Sequence, residues 1–156
     1  MKEILSYLKY VLPVLPLVLG FVVGIPCPMK RDAIASKDLK SNYLPPGWMF
    51  AAMWSVIYAC IGVFMYLMMK SGADVLIWVL LAVNLILNLS WTAIYSKTCL
   101  GNRELALWWL FACKVTLLAL MIQVVTSKNP TPAVWLVLYS CWLDVALILN
   151  YNAVGK

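Results

Sequence analysis

The sequence predicts an all-α membrane protein, a compact bundle of five transmembrane helices, and two features of its composition support that prediction. Of its 156 residues, 65 % are hydrophobic and 12 % are charged, whereas an ordinary soluble domain is about half apolar and about a quarter charged. The apolar residues also fall into runs of about 20, the length that crosses a hydrocarbon core as a helix. Five such runs occupy almost the whole chain, so we expect a single domain.

The five predicted spans are separated by connections of unequal length. They cover approximately residues 4–25, 45–69, 74–95, 102–126 and 131–151. Pro13 and Pro16 fall inside the first span, where prolines kink a membrane helix and neighbouring helices satisfy the freed carbonyls. Three connections are short, but the first loop, 26–44, is long enough to be either a functional lid or a disordered segment. We interpret it as a candidate lid over a pocket.

The net charge of +6 indicates membrane topology and not nucleic-acid binding, because basic residues of membrane proteins concentrate in loops and at lipid headgroups. The side of the first loop carries Lys30, Arg31, Lys37, Lys40, Lys97, Arg103 and Lys156. The other side carries Lys2, Lys9, Lys70 and Lys128. This excess predicts that the first loop and the C-terminus face the cytosol.

The residues that usually bind metals are sparse. The chain has no histidine and five cysteines, which are widely spaced and form no Cys-x-x-Cys pair. Zinc sites, the usual haem ligands and histidine-based catalysis all need residues of these kinds. We therefore expect no metal site and no cofactor.

Three of the spans carry faces that mix aromatic and amide side chains. Helical spacing places the following residues on one face of their respective spans: Trp54 and Tyr58; Asn84, Asn88, Trp91 and Tyr95; Tyr139, Trp142, Ala146 and Asn150. Buried amides and indoles need hydrogen-bond partners. Such faces either hold helices together or converge on a pocket, and three of them favour a pocket. Trp48 lies at headgroup depth, where it is either an interface anchor or a ligand contact.

Two charged residues lie midway along their spans. Lys114 is in the fourth span and Asp144 in the fifth, and these sequential spans are antiparallel, so their midpoints lie at similar depth. Because an isolated ion there is costly, we predict that the two side chains pair or share an aqueous cavity. The pair is either purely structural or part of a pocket or proton path.

Three segments together resemble the translocator protein family (TspO/MBR), also called peripheral benzodiazepine receptors or tryptophan-rich sensory proteins. They are PPGWMFAAMWSVIYACIG at Pro45–Gly62, LNLSWTAIYS at Leu87–Ser96 and AVWLVLYSCWLDVALILNY at Ala133–Tyr151. The resemblance implies a five-helix bundle, often a homodimer, with a pocket that opens towards the first loop. The implied ligands are porphyrins such as protoporphyrin IX, sterols and synthetic aromatic compounds, and the implied role is tetrapyrrole or cholesterol transport, sensing or homeostasis.

The resemblance and the helical faces together define the candidate ligand-binding residues. They are Trp48, Trp54, Tyr58, Asn88, Trp91, Trp108, Tyr139, Trp142 and Ala146. Trp108 stands one position away from the fourth-helix tryptophan of the family. Lys30, Arg31, Lys37 and Lys40 of the first loop are candidate contacts for porphyrin carboxylates.

The resemblance also implies a sterol motif, a weak pattern, which Leu149, Tyr151 and Lys156 fit. The alternative is an interfacial tyrosine followed by a terminal lysine anchor. The resemblance implies the mitochondrial outer membrane (or another membrane such as the ER) in a eukaryote and the cell membrane in a bacterium. It also implies two alternatives to simple binding. One is light-dependent porphyrin degradation by Trp54 and Trp142, and the other is a structural membrane scaffold without a ligand.

Overall fold

The computed structural model describes residues 10–24, residue 26 and residues 47–154, and it confirms the predicted fold class. The described residues form helices and turns, with no strand among them. The helices are α1 (Leu15–Gly24), α2 (Gly47–Ser71), α3 (Val75–Tyr95), α4 (Arg103–Val125) and α5 (Val137–Tyr151), and 3-10 turns at Leu12–Val14 and Thr131–Leu136 lead into α1 and α5. Four helical stretches are long and apolar enough to cross a membrane, and the described part of the first, Leu12–Val23, is shorter.

Side-chain caps fix where two of the helices begin. The Asp74 carboxylate accepts a hydrogen bond from the Leu76 N–H at 3.3 Å at the start of α3. The Asn102 amide oxygen accepts one from the Leu105 N–H at 2.9 Å at the start of α4. Each cap satisfies a backbone donor that the first helical turn leaves without a partner.

The helices form a closed ring in which each touches two neighbours. Around the ring, α1 packs on α2, α2 on the 3-10 turn that precedes α5, α5 on α4, α4 on α3, and α3 on α1. The pairing of α3 with α4 is the most extensive. In contrast, α2 approaches the Thr131–Leu136 turn closely but makes little backbone contact with α5 itself. The α2 and α5 backbones therefore separate towards the end that carries Gly47 and Tyr151, which is the side of the first loop.

Two glycines allow α1 to lie close against α2. A Cβ atom at Gly62 would overlap the carbonyl of Pro13, and a Cβ atom at Gly20 would overlap the Tyr58 ring. Small residues at helix contacts commonly allow such close approach in membranes. The backbone of α1 therefore forms the surface against which the Tyr58 ring lies.

Candidate functional site

A chain of hydrogen bonds crosses the middle of the bundle. The Tyr58 hydroxyl on α2 donates to Asn88 Oδ1 on α3 at 2.7 Å, and Asn88 Nδ2 donates to the Tyr139 hydroxyl on α5 at 2.9 Å. The Tyr139 hydroxyl then donates to Asn84 Oδ1 at 2.9 Å. All four residues are buried. Each group thus donates to the next one along the chain, which ties α2, α3 and α5 together in the buried interior.

The same chain ends on α4. Asn84 Nδ2 donates to the Cys113 carbonyl at 2.7 Å and to Thr116 Oγ1 at 3.0 Å. The Cys113 thiol lies 3.2 Å from the Tyr139 hydroxyl. Both amide groups of the network therefore have partners on the oxygen and on the nitrogen, as a buried amide requires. This part of the interior is fully satisfied and links four helices.

Aromatic rings lie next to this network, on the side of the first loop. Trp54 stacks on Tyr58 with ring centroids 5.7 Å apart and meets Tyr139 edge-on at 6.3 Å. Phe50 of α2 meets Trp142 of α5 edge-on at 5.5 Å. Two of these contacts, Trp54 with Tyr139 and Phe50 with Trp142, join α2 to α5. On α3, the Trp91 ring stacks on that of Tyr95 at 5.0 Å.

Among the residues that the structure describes, three buried polar side chains in this half of the bundle have no hydrogen-bond partner. They are the indole N–H groups of Trp91 and Trp142 and both amide atoms of Asn150. Only 2 % of Asn150 and 5 % of Trp142 is exposed. A buried polar group without a partner costs about 1–3 kcal/mol, and native structures retain few of them. Three of them close to the first-loop end of the bundle indicate a place where a guest molecule could supply the missing acceptors and donor.

We name the candidate site the aromatic cleft, meaning the region of the interior to which α2, α3 and α5 contribute Phe50, Trp54, Trp91, Trp142 and Asn150. Ala146 is buried on α5 between Trp142 and Asn150, one turn from each. Because alanine has the smallest side chain of that stripe, it leaves the most room on that face of α5. The sequence pattern of the fifth span thus corresponds to one inward face of α5.

Two of the predicted ligand-binding residues lie away from the aromatic cleft. Trp48 is 72 % exposed at the start of α2, and Trp108 is 63 % exposed on the outer surface of α4. The neighbouring Trp109 points inward instead, and its indole N–H donates to Ser90 Oγ on α3 at 2.8 Å. Trp109 thus ties α4 to α3 outside the cleft.

Several other predicted residues lie outside the described part of the chain. They are Lys30, Arg31, Lys37 and Lys40 of the first loop and Lys156 of the sterol motif. Of the other two motif residues, Tyr151 is 70 % exposed and Leu149 is partly buried at the end of α5.

The intramembrane charges lie against each other. Lys114 Nζ lies 2.8 Å from Asp144 Oδ1 and also donates to Asp144 Oδ2 at 2.8 Å. The ammonium group further donates to the carbonyl and the hydroxyl of Ser140, at 2.8 and 2.9 Å. The ion pair joins α4 to α5, and its Asp144 side chain is 58 % exposed, so the pair is not part of the buried aromatic cleft.

Some residues of the site were missed by the sequence-based candidate set. Asn84 and Asn150 belong to the polar faces seen in the sequence but were not chosen as site residues. Phe50 lies one turn before Trp54, and this spacing could have identified it. Cys113 and Thr116 carry no such signal, because a cysteine in a membrane helix is usually a small apolar residue. Among the described residues, no group of three or more His, Cys, Asp or Glu side chains could hold a metal ion.

The fold and this interior define a class of protein: an integral membrane protein built as a five-helix bundle around a buried aromatic and amide core. The model of the TspO/MBR family matches residues 12–154. The chain therefore belongs to the TspO/MBR family, as its sequence motifs predicted. It is also 27 % identical over 144 residues to the tryptophan-rich protein TspO of Chlorobaculum tepidum, an alignment that covers 87 % of each chain.

Proposed function

We propose that this protein binds a flat, mostly apolar ligand with one polar edge, of the porphyrin or sterol class, in the aromatic cleft. The observation that carries the proposal is the group of unpartnered polar atoms at Trp91, Trp142 and Asn150. Indole N–H groups donate and the amide both donates and accepts, so a carboxylate or hydroxyl of the guest would satisfy them. The apolar body of the guest would lie against the aromatic rings of Phe50 and Trp54.

The separation of α2 from α5 supports entry from the side of the first loop. The close packing of α2 on the Thr131–Leu136 turn closes the opposite end of that interface. A guest that enters from the first-loop side would first meet Asn150 and then Trp142, and it would stop at the satisfied network around Tyr139. The first-loop residues Lys30, Arg31, Lys37 and Lys40 are further candidate contacts for carboxylates. Such a site would serve transport, sensing or homeostasis of the ligand.

The test is a titration of the purified protein in detergent with protoporphyrin IX, followed by absorbance of the porphyrin. Trp142→Phe keeps an aromatic ring in the wall but removes the N–H, so we expect Kd to rise roughly fivefold for one lost hydrogen bond of about 1 kcal/mol. Trp108→Phe makes the same chemical change on the outer surface and should leave Kd unchanged. Equal effects of the two variants, or no saturable binding by the wild-type protein, would overturn the proposal and favour a structural scaffold.

Two further ligands separate the porphyrin class from the sterol class. Protoporphyrin IX dimethyl ester lacks the free carboxylates, so it should bind more weakly than protoporphyrin IX if the unpartnered donors recognise a carboxylate. If the cleft is built for a sterol, cholesterol should displace protoporphyrin IX at stoichiometric occupancy, and the ester should bind as well as the free acid.

The ring contacts of Trp54 favour a second candidate, light-dependent degradation of a bound porphyrin. Trp54 stacks on Tyr58, so an indole that donates an electron to the excited ring could be re-reduced by a neighbouring phenol. Illumination of the protein with protoporphyrin IX in air should then bleach the porphyrin faster than detergent alone does. Trp54→Phe and Trp142→Phe should slow the bleaching at equal occupancy. Bleaching at the same rate in the variants and in empty detergent would exclude this activity.

A further inference from the structure

Arg103 places a half-buried positive charge at the first-loop end of the bundle. It is the first residue of α4, and its Nη1 donates to the carbonyl of Ala153 at 3.1 Å. The Ala153 N–H in turn donates to the carbonyl of Asn150 at 3.0 Å. The guanidinium group is therefore bonded to the turn that begins at Asn150, the residue of the aromatic cleft whose buried amide has no partner.

The short connection between α3 and α4 also holds Arg103 beside the end of α3. The Asn102 N–H donates to the carbonyl of Ile94 at 3.0 Å, and the charge of Arg103 interacts electrostatically with Tyr95. Tyr95 is 4 % exposed, and its ring stacks on Trp91, whose indole N–H has no partner. Arg103 thus interacts with the ends of both helices, α3 and α5, that carry the unpartnered polar groups of the aromatic cleft.

Most of the hydrogen-bonding capacity of Arg103 is unused within the described part of the chain. The bond to Ala153 takes one of the five N–H donors of the guanidinium group. The ion pair of Lys114 and Asp144 is the one ion pair among the described residues, so no described carboxylate neutralises Arg103. A cation is favoured at the end of a helix and disfavoured at its start. Arg103 lies at the end of α5 and at the start of α4, so capping of α5 alone does not account for a charge at this position.

We infer that Arg103 binds the acidic edge of the guest and makes the aromatic cleft selective for a flat carboxylic acid over a neutral sterol or ester. This inference rests on the proposed function. The planar guanidinium group matches two carboxylate oxygens at once, and the start of α4 attracts an anion in addition. The N–H groups of Trp91, Trp142 and Asn150 would donate to the same acidic edge. A sterol hydroxyl carries no charge, so it would gain less from Arg103.

The first test compares an acid with its neutral ester in three forms of the protein in an uncharged detergent. Kd is measured by porphyrin absorbance for protoporphyrin IX and for its dimethyl ester. Arg103→Gln keeps a side-chain N–H but removes the charge. We expect it to raise Kd for the acid at least about tenfold, as the loss of a charge-assisted bidentate contact implies, and to leave Kd for the ester nearly unchanged. Lys97→Gln removes the same charge from an exposed position in the same connection and should change neither Kd.

The outcomes separate this inference from the proposed function. An equal rise of Kd for acid and ester in Arg103→Gln would show that Arg103 only supports the fold. An unchanged Kd for the acid would show that the carboxylates are bound elsewhere and that Arg103 is an anchor for lipid headgroups. Either result overturns the inference and leaves the proposed function standing, because the wild-type protein still binds. Absence of saturable binding of both ligands by the wild-type protein would overturn the proposed function, and the inference with it.

The second test uses the unaltered protein and decides the matter if Arg103→Gln does not fold. The chain has two arginines, Arg31 and Arg103. Phenylglyoxal modifies arginine side chains, and mass spectrometry of the digested protein shows which of the two has reacted. Protoporphyrin IX at saturation should slow the modification of Arg103, and the dimethyl ester at equal occupancy should not. Protection of Arg31 in place of Arg103, or equal protection of Arg103 by acid and ester, would refute the assignment.

Discussion

The hydroxyl group of Tyr139 is the centre of the polar network, and its removal tests whether that network stabilises the bundle. Tyr139→Phe keeps the ring, which is buried and lies edge-on to Trp54, and deletes only the oxygen. That oxygen accepts from Asn88 Nδ2 and donates to Asn84 Oδ1, both at 2.9 Å. The substitution therefore leaves one buried donor and one buried acceptor without partners.

The expected decrease in the free energy of unfolding follows from the loss of these two hydrogen bonds. Hydrogen bonds between membrane helices contribute about 0.6 kcal/mol on average and up to about 1.7 kcal/mol. Two bonds thus give a loss of about 1–3 kcal/mol in the free energy of unfolding. Tyr58→Phe removes one bond, at 2.7 Å to Asn88, so it should cost about half as much. Tyr151→Phe changes an exposed ring and should cost nothing measurable.

The assay is reversible unfolding by SDS in mixed micelles, followed by circular dichroism. The double variant Tyr58→Phe/Tyr139→Phe completes a mutant cycle, and we expect the two losses not to add, because both tyrosines bond to the same amide of Asn88. Should Tyr139→Phe prove no more destabilising than Tyr151→Phe, the network would contribute nothing to stability and the reasoning would fail.

Three further predictions concern packing and the unpartnered groups. Gly62→Ala should lower the free energy of unfolding by about 1–3 kcal/mol in the same SDS assay, because the added methyl group overlaps the Pro13 carbonyl. Trp109→Phe should cost about 0.6–1.7 kcal/mol through the loss of its bond to α3, whereas Trp108→Phe, its exposed neighbour, should be neutral. Asn150→Leu should stabilise the ligand-free protein by about 1–3 kcal/mol, because it replaces an unpartnered buried amide with an apolar group of similar volume. The same variant should weaken protoporphyrin IX binding. Destabilisation by this change would show that the amide has a partner.

Hydropathy and spacing predicted the helices of the bundle and the inward faces of three of them. Asn84, Asn88 and Trp91 share a face of α3 because their spacings match the helical period, and the structure buries all three. The spacing could not show that Tyr139 lies between the two amides. That contact depends on the order of helices around the ring, which places α5 beside α4 and across the interior from α3. Periodicity within one helix carries no information about its neighbours.

The two adjacent tryptophans of α4 show a different limit. Successive residues of an α-helix point about 100° apart, since one turn takes 3.6 residues. Trp108 and Trp109 therefore cannot both face the interior, and the choice depends on how α4 is rotated against α3. The structure turns Trp109 towards Ser90 and leaves Trp108 exposed. Trp108 stands one position away from the family's fourth-helix tryptophan, so the resemblance could not show whether Trp108 or Trp109 faces the interior.

The contrast between the two halves of the interior has a consequence for how stability and binding are coupled. The groups around Tyr139 are fully bonded within the chain, so a ligand has nothing to add there. The polar groups of Trp142 and Asn150 have no hydrogen-bond partner within the chain. A guest that hydrogen-bonds to them would bind the folded state and not the unfolded one, because only folding brings these groups together. Such a ligand raises the unfolding free energy by about 2.7 kcal/mol at a free concentration of 100 times Kd. Asn150→Leu should have a higher unfolding free energy than the wild-type protein without ligand. Addition of the ligand should raise the unfolding free energy of this variant by less. A variant that lost stability and binding together would instead place Asn150 within the structural framework of the bundle.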